Sequence, residues 1–291
     1  MAYFSERGGD LPPQTHDAIP PDFIQATAAM LSGLCKRGWL ARGWPRFCPD
    51  EPHPIIGTDE GTFWQEATTT LNFESRAPGE LVRESQPLRI LNLIEFAHRH
   101  VALPIQGAYH DYFSHYHLDF NGPQGKEGFQ SEVNGLFARF GLAFRLEEDG
   151  HVVRLTAPAL ENIIGVGFAT GDPELDRMLE ESVRKFRSPD SGVRRDGLER
   201  LWDAFERLKT IEIPGNKQAS ADQLLTRTSN KPEIKKLLED EFKALTATGN
   251  GFRIRHHETD KVSIDTDPDA DYLFHRMFAV VWRVLKATGR V

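Results

Sequence analysis

Proline placement constrains this chain more than any other feature. Pro12-Pro13, Pro20-Pro21, Pro45, Pro49, Pro52, Pro54 and Pro78 punctuate residues 1 to about 165. Each proline lacks a backbone donor and crowds the preceding turn, so no long helix can cross such a stretch. Short helices fit between the breaks. Apolar residues at helical spacing predict them over Asp22–Leu34, Pro87–Val101 and Phe129–Phe140, the last stopped by Gly141. Leu142–Leu146 and His151–Leu155 then alternate around Asp149-Gly150, which predicts a β-hairpin. From Gly171 onward the pattern changes to long amphipathic helices. Asp172-Pro173 is a good N-cap and first-turn pair for the first. Stripes through Leu198–Leu208, Ile234–Leu245 and Leu273–Leu285 mark three more. Four such helices bury their stripes most easily as a bundle. The fold class expected is mainly α (α+β). Residues 1–168 form a small mixed α/β N-terminal domain with one hairpin, and 169–291 an antiparallel helical bundle.

The 291 residues can bury a substantial core, and the 39% hydrophobic and 27% charged composition is that of a globular protein. No apolar run approaches the roughly 18 residues needed to cross a bilayer. The start, MAYFSERGGDLPP, lacks the basic and apolar regions of a secretory signal. Cys35 and Cys48 cannot build a disulfide scaffold and lack zinc-finger spacing, so a reduced, cytoplasmic home is expected, with no membrane partner. Lys36-Arg37 beside Cys35 would lower its pKa slightly. A net charge of −8 argues against non-specific coating of nucleic acid, yet leaves room for a small basic pocket.

The segment Gly249–Glu258 is the densest in chemistry. It sets Arg253 and Arg255 beside His256 and His257, between two helices. Histidine can take and give a proton near neutral pH, and arginine offers a planar fork of donors to phosphate. The plain alternative is a polar helix–helix loop. Glu206 and Lys209, three apart on one helix face, would orient a histidine or hold a phosphate, or form an ordinary surface ion pair. Asn250 would supply a helix C-cap or contact substrate. Arg276 and His275 could point back towards this loop.

The segments LERLWDAFERLKT, LTATGNGFRIRHHETDK and DYLFHRMFAVVWRVL resemble the C-terminal helical module of bacterial abortive-infection proteins of the AbiJ type, which is similar to the HEPN superfamily. YFSERGG, ILNLIEFAHRH and FQSEVNGLFARFGLAFRLEEDGHVVRL are similar to the AbiJ-type N-terminal half. The resemblance implies an N-terminal sensing or regulatory domain and a metal-independent endoribonuclease that works as a homodimer. It also implies a defence role, an RNA substrate and an antitoxin or regulatory partner, with no cofactor. The HEPN motif is an arginine and a polar residue, with four to six residues intervening before a histidine. Arg255 takes the arginine position and His256 the polar one, but the window lands on Asp260, Lys261 and Val262. The resemblance therefore assigns catalysis to Arg255 with His256 or His257 acting from a shifted place. Arg253, Lys261, Asn250, Lys209 and Glu206 would hold substrate. A non-catalytic module binding a nucleotide, RNA or partner protein is the alternative.

A second cluster competes. Of 11 histidines, His98, His100, His110, His115 and His117 fall within twenty residues. His115–Asp119 reads HxHxD and resembles the zinc motif of the metallo-β-lactamase fold, except that Phe120 stands where a further histidine belongs. His110, His115, His117 and Asp119 would make a generic zinc site serving a metal-dependent hydrolase. The interleaved Tyr109, Tyr112, Phe113, Tyr116 and Phe120 favour instead an aromatic-rich packed loop, with no metal and the histidines hydrogen-bonded.

Overall fold

The computed structural model describes residues 9, 11–50, 54–156, 158–161, 167–252, 254 and 261–291. The chain divides into two compact units, Met1–Leu155 and Thr156–Val291. It is mainly helical with small antiparallel sheets, an α+β composition.

In the first unit, α1 (Pro21–Lys36) starts where Pro21 fixes the first turn, and it buries Phe23, Ile24, Leu31 and Leu34. Strands β1 (Pro45–Phe47) and β2 (Ile55–Thr58) pair antiparallel. Helix α2 (Glu60–Thr70) follows, capped by Asp59, whose carboxylate accepts the Thr62 N–H at 3.0 Å. Helix α3 (Arg89–His100) buries nearly a full face through Ile90, Leu91, Leu93, Ile94 and Ala97. Strands β3 (Leu103–His110) and β4 (His115–Asn121) form a hairpin, and α4 (Gly122–Arg139) starts at its end. Gly125 lets α4 lie against the start of β3, since a Cβ there would collide with the Ala102–Leu103 backbone. Phe23 of α1 stacks on Phe137 of α4 with centroids 5.3 Å apart. The hairpin β5 (Phe144–Leu146) and β6 (Val152–Arg154) closes the unit.

The three predicted helices and the Asp149-Gly150 hairpin are present with small shifts at their ends, except that the helix expected from Phe129 already begins at Gly122. Two expectations change. Among the described residues there are three two-stranded sheets rather than one hairpin. The expected packed loop around residues 109–120 is the β3–β4 hairpin, with Ile105, Tyr109 and Tyr116 on its exposed side. A register irregularity between Gln106 and Tyr109 breaks the simple alternation that would have marked the strands.

The second unit opens with a short helix, α5 (Pro158–Glu161), whose Leu160 already belongs to the second core. The division at Leu155/Thr156 therefore falls ahead of the boundary placed at 168/169 from sequence. Helix α6 (Pro173–Phe186) is capped by Asp172, which accepts the Glu174 and Leu175 N–H groups. Arg207, near the end of α7 (Ser191–Leu208), grips the same carboxylate at 2.7 Å, so α6 and α7 run antiparallel. Next come α8 (Lys217–Thr228), α9 (Pro232–Gly251) and α10 (Asp267–Ala287). Buried Arg194 at the start of α7 reaches Asp267 at the start of α10, at 2.7 Å. Glu212, just past α7, meets Arg290, just past α10, also at 2.7 Å. These two helices therefore run side by side in the same direction. Phe186 stacks flat on Phe274 with centroids 3.7 Å apart at the centre of this core.

Helix α8 was not expected. Its sequence, KQASADQLLTRT, carries one short apolar pair, and a cap at Asn216 plus burial of Leu224 and Leu225 hold it. Among the described residues no helix is long and apolar enough to cross a membrane.

Candidate functional site

A largely buried polar construction in the second unit stands on α7. Glu206 and Lys209 share a helix face, as their spacing requires, but they do not form a surface pair. The Lys209 side chain is only 7% exposed. Its ammonium bonds the Glu206 carboxylate, donates to Thr246 Oγ1 at 3.0 Å and lies 4.6 Å from the Phe205 ring centroid. Burial pushes the Lys209 pKa down, against the pull of Glu206. The second Glu206 oxygen receives Lys217 from α8. Burial alone would raise the Glu206 pKa, but the two ammonium groups outweigh it and hold the carboxyl below its usual range.

A groove of about 1050 Å³ opens beside this triad. Lys209, Lys217 and Asn216 line it together with Phe242, Lys243, Thr246 and Asn250 of α9. Its two acidic lining residues, Asp222 and Glu239, lie near the Lys235 ammonium, at 2.7 and 3.9 Å. Asn250 is inside the last turn of α9 rather than at its cap. The cap is Phe252, whose N–H reaches Thr248 O at 2.9 Å. The glycine before Asn250 has a packing reason: a Cβ on Gly249 would run into the Trp202 ring. That close approach of α9 to α7 sets Asn250 on the groove.

Of the residues singled out from sequence, Lys209 and Asn250 line this groove, and Glu206 is bonded to Lys209 beside it. Arg253, Arg255, His256 and His257 lie outside the described residues. Ile254 is buried in the core, and the Val262 N–H bonds Gly251 O at 3.2 Å just beyond half-buried Lys261. Arg276 Nε donates to Glu241 at 2.7 Å, tying α10 to α9, while His275 Nδ1 sits 2.7 Å from Asp271 O. Sequence reasoning missed Lys217, Asn216 and Lys243. The first two stand on or beside α8, whose weak apolar pattern hid it.

The five-histidine cluster splits. His98 and His100 stand on α3, His98 buried under Gly150 and His100 half-buried with its ring 4.8 Å from Trp44; burial lowers both pKa values. His110, His115 and His117 share the hairpin, where His110 and His115 pair across its end. The Nε2 atoms of His115 and His117 are buried without a hydrogen-bond partner, so the packed-loop expectation of bonded histidines fails at those two atoms, while His115 does bond the Phe113 backbone. Asp119 is not grouped with them; it lies by Gly107. Cys35 is not activated by its basic neighbours. Burial first, then Glu60, raises its pKa to about 12.

A small α+β unit preceding a unit of amphipathic helices defines the class of protein. Residues 2–165 match the model of AbiJ N-terminal domain 4, and the chain belongs to that family. Membership suggests an abortive-infection, phage-defence role. No curated protein and no solved structure matches the chain.

Proposed function

We propose that this protein acts in abortive infection as a metal-independent endoribonuclease, with a HEPN-like C-terminal unit cutting RNA. The observation that supports this reading best is the groove flanked by Lys209 and Lys217 and running to Asn250, three residues before Arg253. The exposed Lys217 ammonium offers a phosphate a partner, and the buried Glu206–Lys209 pair holds it at a fixed height. Arg255 would stabilise charge growing on the phosphoryl oxygens. His256 or His257 would take the ribose 2′-hydroxyl proton and return one to the leaving 5′-oxygen. The products are a 2′,3′-cyclic phosphate and a free 5′-hydroxyl. Two copies of the chain meeting at the 250–258 segment would complete the site, and an antitoxin or regulatory partner would restrain it in the cytoplasm.

The test is cleavage of mixed RNA by the purified full chain in excess chelator. Cyclic-phosphate ends are expected, with Arg255→Ala and the critical histidine's alanine variant each slowing cleavage by about 10²–10⁴-fold. Cleavage that needs a divalent ion overturns the mechanism. Tight RNA or nucleotide binding without cleavage selects the binding module instead. A species of 32.9 kDa at working concentration refutes the two-chain site.

A further inference from the structure

The His110–His117 hairpin has a fourth neighbour that its own sequence does not announce. Cys48 follows β1, sixty-two residues before His110, and its backbone N–H is fixed on Pro54 O at 2.9 Å. Its buried Sγ sits 3.2 Å from His110 Nδ1. The rings of His110, His115 and His117 stand 5.3, 5.7 and 5.6 Å from one another, pair by pair. One donor atom from each histidine and the Cys48 sulfur all lie within 4.8 Å of one another.

We propose that Cys48, His110, His115 and His117 bind a zinc ion that ties the β1–β2 hairpin to the β3–β4 hairpin. In a tetrahedral site with Zn–N near 2.0–2.1 Å and Zn–S near 2.3 Å, nitrogens stand about 3.3 Å apart and nitrogen to sulfur about 3.6 Å. Side-chain adjustments of about 1 Å bring the four donors to that geometry. A thiolate with three imidazoles is a donor set suited to zinc. Two independent observations support an ion rather than a packed cluster. The first is the pair of buried, partnerless Nε2 atoms on His115 and His117, a desolvation cost left unmet without a ligand. The second is Asp50, whose Oδ2 lies 3.6 Å from His110 Nε2. A carboxylate behind the far nitrogen orients a ligating histidine and leaves Nδ1, the atom beside Cys48, to face the metal. A Cys48–His110 nucleophilic pair would leave the His115 and His117 nitrogens unexplained.

Four protein ligands fill a tetrahedral ion, so this site is closed and structural, with no position for a hydrolytic water. It separates from the hydrolase reading of the same histidines and does not depend on the ribonuclease reading. Zinc binding releases the Cys48 proton and forms a Zn–S bond, with neutral imidazoles completing the shell.

The test uses the full chain produced with zinc and dialysed against zinc-free buffer. Elemental analysis is expected to find one zinc per chain, retained through dialysis and lost in Cys48→Ser and His117→Gln. Where a variant does not fold, cobalt titration of the stripped wild type decides, through the thiolate-to-cobalt absorption of a tetrahedral site. Zinc is also expected to slow alkylation of Cys48 by roughly tenfold or more, reversed by chelator, with buried Cys35 as the unreactive control. Zinc held equally by both variants, no thiolate absorption with cobalt, or Cys48 alkylation indifferent to zinc each overturns the proposal. Chelator-resistant RNA cleavage alongside zinc loss would leave the metal site standing and the ribonuclease reading intact, so the two fail separately.

Discussion

Removing the negative member of the Glu206–Lys209–Lys217 triad should cost far more than removing the buried positive one. Glu206→Gln leaves the Lys209 ammonium, 7% exposed, beneath α9 with only Thr246 and the Phe205 ring for company. Breaking a fully buried pair costs about 3–5 kcal/mol; Glu206 is a quarter exposed, so solvent screens part of it and about 2–3 kcal/mol is expected. Lys209→Met removes the charge itself. Its thioether packs where the lysine stem lay, Thr246 keeps its bond to Phe242 O at 2.8 Å, and Glu206 keeps Lys217. That change should cost about 0–1 kcal/mol. The difference, near 2 kcal/mol, is about thirtyfold in the opening equilibrium of α7. Native-state hydrogen exchange of α7 and α9 amides reads it for this unit alone. Glu206 should also carry acid sensitivity, because its carboxyl is held below the usual range in the fold. A depressed carboxyl stabilises the fold above its unfolded value, about 4.3, and loses that contribution as pH falls through the folded value. Wild-type protection should therefore decline below about pH 4, and Glu206→Gln should lose the share of that decline that Glu206 contributes. If Lys209→Met destabilises as much as Glu206→Gln, the triad is not an ion pair with a buried cation at its centre.

Gly249→Ala should drive a methyl into Trp202 and cost about 1–3 kcal/mol by overpacking, checked by melting; on the proposed ribonuclease reading it should also weaken RNA retention in filter binding. Asp172→Ala loses a cap on two N–H groups and the Arg207 clamp, for about 1–2 kcal/mol by urea denaturation. Asp172→Asn should keep the cap but abolish the acid dependence that Asp172 contributes. That carboxyl is held low chiefly by Arg207, so its stabilisation is present above about pH 4 and lost as pH falls further. Cys35 should resist iodoacetamide in the native state at pH 8, because its thiolate forms only near pH 12; rapid labelling would contradict its burial.

The polar positions around the groove are partly legible in the sequence. Lys209 and Asn250 stand out by their polarity near the arginine–histidine segment, and both line the groove, with Glu206 bonded to Lys209 beside it. Their roles were less legible. Burial of Lys209 depends on Phe205, Phe242 and Thr246 from two helices, which no local pattern encodes. The packing role of Gly249 is invisible locally, because sequence shows a missing side chain but not the Trp202 ring occupying its space.

By itself, the sequence determined where helices could not run, and the periodic stripes placed seven of the longer ones and one hairpin. Those signals are local: proline chemistry acts within a turn, and amphipathic period within a dozen residues. Tertiary structure alone decided that α7 and α10 run in the same direction, joined by Arg194–Asp267 and Glu212–Arg290. It alone formed α8, whose weak pattern becomes stable only by burying Leu224 and Leu225. It also brought Cys48 to three histidines more than sixty residues away. The reason is common to all three. A contact between distant segments depends on the packing of everything between them, and no residue within either segment specifies it.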